Sequence, residues 1–295
     1  LSLLALLFAS GAWAAKGDVY IVAINDAISP GIAEYINNSI ERAEKEEAAC
    51  LIIELDTPGG LAESMRLIIK DILGSNVPIV VFVAPRGARA ASAGVMITMA
   101  ADVAAMAPGT NIGAAHPVGA GGKDISGKMS EKVINDMVAH AKSVAEKRGR
   151  NQKWVEQAIR ESVSITETEA LEENVIDLIA EDTDDLIRQL NGRKIADKGE
   201  LKLDKAQKVI VEPSLRTNIL KTISNPNIAY ILLMIGLAGL YFELSHPGAI
   251  FPGVIGGISL ILAFFALQTL PVNYAGLALL ALGIMFMLAE VFVPS

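Results

Sequence analysis

Among its 295 residues the chain has one cysteine, Cys50, so no disulfide can form within it. It has three histidines, His116, His140 and His246, and no cluster of His, Cys, Asp and Glu at ligand spacing. No phosphate-cradling glycine loop occurs either, so neither a metal nor another cofactor is expected. Lys and Arg number 25 against 33 Asp and Glu, a net charge of -8 with no basic stripe, which removes the electrostatic footprint of a nucleic-acid binder. No Lys or Arg follows Lys221, and the sequence beyond it is almost wholly apolar, the mark of a membrane anchor. The same absence leaves the positive-inside rule nothing to count. Orientation therefore rests on the start of the chain. Residues 1–10 are apolar and Ala12-Trp13-Ala14 offers small residues to a signal peptidase, so residues 1–14 read as an export signal cut after Ala14. Export places the body on the extracytoplasmic side. The chain opens without Met and stops directly after its last apolar run, so further sequence is expected at both ends.

Between signal and anchor, residues 19–24, 50–55, 77–84 and 102–107 are short apolar runs that read as buried strands. Residues 30–47, 61–73 and 95–100 carry helical periodicity between them, which predicts a layered α/β body with largely parallel pairing. Cys50 falls in the second strand, where core packing is its expected role. Residues 111–115 form a short extended piece and 117–128 a glycine-rich loop. Helices follow over 130–148, 152–161 and 166–173, then a strand over 175–180 and a short helix over 186–190. Weak alternation over 194–212 about Lys198-Gly199 suggests a hairpin. The predicted layout is a signal at 1–14, a body at 15–213, an amphipathic linker at 214–226 and a membrane region at 227–295. Apolar spans are expected at 228–244, 254–270 and 274–293, the first two near the short limit of ~17 residues. Glu243 and Glu290 lie in or beside these spans and are functional suspects, with siting at the membrane interface as the plainer account.

Arg86 to Ala100 holds a single serine, Ser92, among very small residues and between a strand and a helix. Free N–H groups at a helix start suit a nucleophile and the oxyanion it creates, although Ser is also a common helix cap. A second strand-to-helix turn, Asp56-Thr57-Pro58-Gly59-Gly60, can present main-chain donors; Gly59, Gly60 and the Ala93 N–H are the candidate oxyanion hole. Two bases are available. His116 follows the extended piece and could fold back toward Ser92. Lys142 stands four residues after Val138, at the border of the apolar stripe of its helix, whereas Lys132 and Lys147 face away from it. A lysine base must fall from about 10.4 toward 7 or 8, about 3 to 4 kcal/mol of discrimination against its charged form. His140 lies about 120° from the centre of that stripe and is expected to be solvated.

In order along the chain, Leu55-Asp-Thr-Pro-Gly-Gly60, Ala90-Ala-Ser-Ala-Gly94 and Ala105-Met-Ala-Pro-Gly-Thr-Asn-Ile-Gly-Ala-Ala115 together resemble the NfeD family of membrane-bound serine proteases, relatives of the Clp peptidases and signal peptide peptidase A. The resemblance implies a Clp/crotonase-like spiral of βα units followed by an α-helical transmembrane region. It implies a Ser-Lys dyad, with Ser92 as nucleophile and Lys142, ahead of Gly149-Arg-Asn, as base. It also implies an endopeptidase that acts on stomatin-like membrane proteins, is a homo-oligomer and resides as a multi-pass protein in the cell membrane. His116 stays open as an alternative base because it lies close to where Clp peptidases place theirs. A non-catalytic membrane scaffold for a stomatin-like partner is the rival function. Acyl-CoA chemistry on the same fold is a third reading, without a feature that favours it.

Overall fold

The computed structural model describes residues 17–119, 127–223, 226–245, 250–266, 276, 278–279 and 281–283. The predicted export signal, His246, Glu290 and most of the third predicted span lie outside the described residues. Two compact units are present, residues 17–28 with 35–212 and residues 29–34 with 213–295. The first half of the chain forms β1 (Val19–Asn25), α1 (Pro30–Lys45), β2 (Cys50–Asp56), α2 (Ala62–Gly74), β3 (Ile79–Val83), β4 (Arg89–Ala91), α3 (Ala93–Ala100), β5 (Val103–Met106) and β6 (Asn111–Gly113). There follow α4 (Lys128–Lys147), α5 (Gln152–Arg160), β7 (Ser164–Thr166), α6 (Glu167–Glu172), β8 (Leu178–Ile179), α7 (Thr183–Leu190), β9 (Lys194–Ile195), β10 (Gly199–Glu200) and β11 (Lys208–Ile210). Six strands make one sheet in the order β11-β1-β2-β3-β5-β8, and every pairing in it is parallel.

Burial on both faces explains the unbroken apolar runs: β3 and β5 are buried at every residue. On one face Val19, Ile21, Cys50, Ile52, Val80, Phe82 and Val103 pack with Leu186 and Leu190 of α7 and with Leu201 and Leu203. The α/β class with parallel pairing is as expected. Two details differ. β4 was not expected as a strand; with β6 and β7 it forms a second sheet, β4-β6-β7, bridged to the end of β2 through Thr57 and Ala90. Residues 194–212 are a hairpin only as far as β9 and β10, because Lys208–Ile210 runs on to pair with β1 as the edge of the main sheet.

Buried titratable groups give this body an alkaline limit. Burial pushes the Cys50 thiol up to about 12. Burial and the hydrogen bond to Glu46 do the same to the Tyr20 phenol, and burial with Glu212 nearby to Tyr35. Each group stays neutral to higher pH when folded than when unfolded. The stability this confers is therefore complete below about pH 9 and is lost as pH climbs toward 12. Thermal melts should show the midpoint falling across that window, with a shallower fall in Cys50→Ala; a flat profile would contradict the assignment.

In the other unit, α8 (Leu215–Ile223) precedes α9 (Pro226–Ser245) and α10 (Ile250–Ala266). Asn227–Ser245, at a mean hydropathy of 1.8, is long and apolar enough to cross a membrane, and Phe251–Ala266 is apolar but shorter. Their mutual face is made of glycine. A Cβ on Gly239 would lie 2.4 Å from Pro252 O and 2.8 Å from Gly256 Cα, while Tyr230, Met234, Tyr241, Phe242 and Phe251 are exposed. Close small-residue packing within and large apolar residues without suit a helical hairpin in lipid. Glu243 falls in the last turn of α9, where its Oε2 is sealed from solvent with no partner among the described residues.

Candidate active site

Ser92 occupies the N-cap position of α3 at φ 53° and ψ −111°, a left-handed conformation that costs a residue with a Cβ about 1–3 kcal/mol. Main-chain bonds impose it. Ser92 N–H donates to Gly113 O, Ala91 N–H to Thr57 O and Val95 N–H to Ser92 O, each at 3.1 Å. The Ser92 hydroxyl makes no capping bond, so the helix-cap reading is corrected and Oγ has no hydrogen-bond partner among the described residues. The small residues around it have steric causes: α3 is wholly buried, and a Cβ on Gly94 would lie 2.7 Å from Thr57 Cγ2.

Facing Ser92 is the Thr57-Pro58-Gly59-Gly60 turn. Thr57, fully buried, is the residue the sequence reading passed over; its place between a strand and two glycines was the available signal. Its Oγ1 accepts from Gly59 N–H at 3.2 Å and donates to Gly59 O at 3.1 Å. The two glycines serve different ends. Gly59, at φ 112°, approaches so closely that a Cβ would stand 2.5 Å from Ser92 Cβ and 3.0 Å from its Oγ. At Gly60 a Cβ would stand 2.2 Å from Ile28 O, inside a bridge where Ile28 N–H donates to Gly59 O and Leu61 N–H to Ile28 O, both at 2.8 Å. Gly60→Ala should therefore cost about 3 kcal/mol by overpacking against backbone; a denaturant midpoint equal to wild type would refute this. No described residue accepts a hydrogen bond from the Gly60 or Ala93 N–H, whereas the Gly59 N–H is engaged by Thr57.

Neither expected base reaches Ser92 in this state. Lys142 does sit at the border of the buried stripe Val138, Ala141, Val144 and Ala145, but that border faces α5. Its side chain is 42% exposed, and Nζ donates to Glu156 Oε2 at 2.9 Å. Hydrogen bonds from Arg160 and Lys142 hold the Glu156 carboxyl below its ordinary range. His116 is half-buried with Nδ1 2.9 Å from Ile159 O at the end of α5. His140 is half-buried rather than solvated. Its Nδ1 is sealed off without a partner among the described residues, and burial together with Arg66 holds its pKa below the ordinary value against the pull of Asp136. Lys132 and Lys147 are exposed, as expected. Among the described residues no group of three or more His, Cys, Asp and Glu could hold a metal. A cavity of about 500 Å³ at the carboxyl edge of the main sheet, lined by Ala23, Glu54, Phe82, Arg86 and Thr183 among others, includes none of the predicted site residues.

Residues 18–193 match the family described as NfeD1b, N-terminal domain, and residues 227–295 the NfeD integral membrane domain. The chain is 35% identical over 303 residues to the membrane-bound protease PH1510 of Pyrococcus horikoshii, covering all of this chain and 68% of that one. It is 30% identical over 288 residues to the membrane protein NfeD1b of Bacillus subtilis, covering 96% of this chain and 64% of that one. Two solved structures of the 1510-N membrane-bound stomatin-specific protease are similar at 35% identity. A serine-to-alanine mutant has a TM-score of 0.63, over 68% of this chain and 100% of that one. A lysine-to-alanine mutant in complex with a substrate peptide has a TM-score of 0.65, over 71% and 98%. Their substituted positions, 97 and 138 in that chain, stand 41 apart.

Proposed function

We propose that this chain, which belongs to the NfeD family, is a membrane-bound serine protease in which Ser92 attacks the peptide carbonyl and a lysine of α4 takes and returns its proton. The observation that carries this reading is the main chain at Gly59 pressed against a strained, uncapped Ser92 at the start of a buried helix. The Gly60 and Ala93 N–H groups supply donors for the oxyanion, and the positive end of α3 adds to their field. Gly59 makes the close approach possible.

For the base we favour Lys132 over Lys142 and His116. From Ser92 the distance in sequence is 40 residues to Lys132 and 50 to Lys142, against 41 between the serine and lysine substituted in the 1510-N structures. Lys142 Nζ is taken up by Glu156 Oε2 of α5, whereas Lys132 has no ion pair among the described residues. No hydrogen bond joins Lys132 to Ser92 here either. Such bonds commonly tighten only with substrate in place.

By the same reading residues 15–213 are the protease domain, 214–226 a linker and 227–295 a multi-pass anchor that leaves the protease domain outside the cytoplasm. The substrate is a stomatin-like membrane protein, the class for which the similar 1510-N protease is specific. A scaffold without catalysis would leave the strain at Ser92 without a purpose. The test is cleavage of peptides from a stomatin-like protein by the purified full chain, with fluorophosphonate labelling mapped by mass spectrometry. Labelling elsewhere than Ser92, or equal labelling of Ser92→Ala, would overturn the assignment.

A further inference from the structure

A nucleophile on a short helix is only as well placed as the helix, and α3 is gripped at its far end. Its final carbonyls would ordinarily lack donors. Here Met99 O and Ala101 O accept from Arg150 Nη1 at 2.7 and 2.8 Å, and Ala100 O accepts from Arg148 Nε at 2.7 Å. The two arginines flank Gly149 directly beyond the end of α4. Each is held from behind by a carboxylate. Arg148 Nη1 donates to Asp102 Oδ1 at 2.6 Å and Arg150 Nη2 to Asp177 Oδ2 at 2.6 Å. Those carboxylates are anchored in turn to the main sheet: Asp102 Oδ2 accepts from Ile79 N–H at 2.8 Å and Asp177 Oδ2 from Ala104 N–H at 2.7 Å. Lys198 Nζ closes the network on Asp102 Oδ2 at 2.6 Å.

The network is costly. The side chains of Arg150 and Asp102 are 2% and 1% exposed, and burial pulls the Arg150 pKa down against the support of Asp177. Buried ion pairs seldom repay their desolvation in stability alone, so position rather than stability is the better account of this one. Guanidinium groups on three terminal carbonyls fix both the tilt and the axial setting of a helix about 12 Å long, with Ser92 at its other end. Because both arginines are the continuation of α4, they join the helix of the nucleophile to the helix that carries Lys132.

We propose that Arg148 and Arg150 are positioning residues for proteolysis, a clamp that fixes the mutual setting of Ser92 and the α4 lysine. This rests on the Ser92 and lysine reading above. A misplacement of about 1 Å is enough to cost about 100-fold in rate, so the clamp should appear in turnover before it appears in folding or binding.

The test compares Arg148→Lys and Arg150→Lys with Leu190→Ala, a core substitution under the opposite face of the main sheet, in the full chain. Melting temperature, kcat and KM on one peptide, and the pH midpoint of fluorophosphonate labelling are read for each. The arginine variants are expected to lose about 10- to 100-fold in kcat at nearly constant KM and to shift the labelling midpoint. Leu190→Ala should keep both values at an equal or larger loss of melting temperature. If a lysine variant does not fold, Arg148→Ala with and without added guanidinium replaces it, and recovery of labelling on addition is expected. Arginine variants that merely follow Leu190→Ala, or no recovery with guanidinium, overturn the clamp while wild-type labelling at Ser92 stands. Loss of wild-type labelling at Ser92 would instead remove the reading beneath it.

Discussion

Ser92→Ala should lower kcat for peptide hydrolysis by about 10⁴-fold or more while leaving the fold untouched. The two halves of that expectation have separate causes. Oγ is the only atom removed, and it makes no hydrogen bond among the described residues, so the variant loses no native contact of consequence and its unfolding free energy should stay within about 0.5 kcal/mol of wild type. Alanine has the same Cβ as serine, so the φ of 53° is neither relieved nor worsened. Oxyanion donors that persist without the nucleophile can leave only a small residual rate. KM should change little, because the close contact between Gly59 and the Cβ of residue 92 survives. Initial rates, a melt and titration with a non-cleaved peptide check all three. A variant that retains one-tenth of wild-type turnover would mean that Ser92 is not the nucleophile.

The same contrast between main chain and side chain decides what the sequence could reveal. β1, β2, β3 and β5 are legible because burial on two faces demands unbroken apolar runs. β4 is not, since three residues held by β6 and Thr57 leave no run to read. Nor is the pairing of β11 with β1, which joins residues nearly 190 apart in sequence and has no local cause. At the site, Ser92 and Gly59 are marked by small residues at strand-to-helix turns, where close approach permits little else. Helical phase placed Lys142 correctly at the edge of its apolar stripe. Phase says which side a residue takes and not which neighbour stands there. The neighbour proved to be Glu156 of α5, just as the neighbour of His140 proved to be α2 with its Arg66 paired to Asp136, rather than solvent. The arginine clamp escaped for the same reason, because a charged pair at the end of a helix ordinarily reads as solvated.

Lys132→Ala is expected to reduce kcat about 10³-fold near neutral pH, the usual share of a general base. Lys142→Ala and Glu156→Gln should change it less than about threefold, since the ion pair they break is partly exposed and weak. His116→Ala should also be mild, because its ring is tied to Ile159 O rather than to the nucleophile. The pH profile carries the distinction further. If a lysine is the base, activity rises with pH as the amine loses its proton, and in Lys132→Ala hydroxide should restore part of the rate as pH approaches about 9, giving a slope in place of a plateau. Measurements should stop short of about pH 9, where deprotonation of Cys50, Tyr20 and Tyr35 begins to unfold the body and would imitate loss of the base. A 10³-fold loss in Lys142→Ala with Lys132→Ala unimpaired would reverse the assignment. It would require α4 to turn about its axis on binding substrate, freeing Lys142 from Glu156 and bringing it toward Ser92.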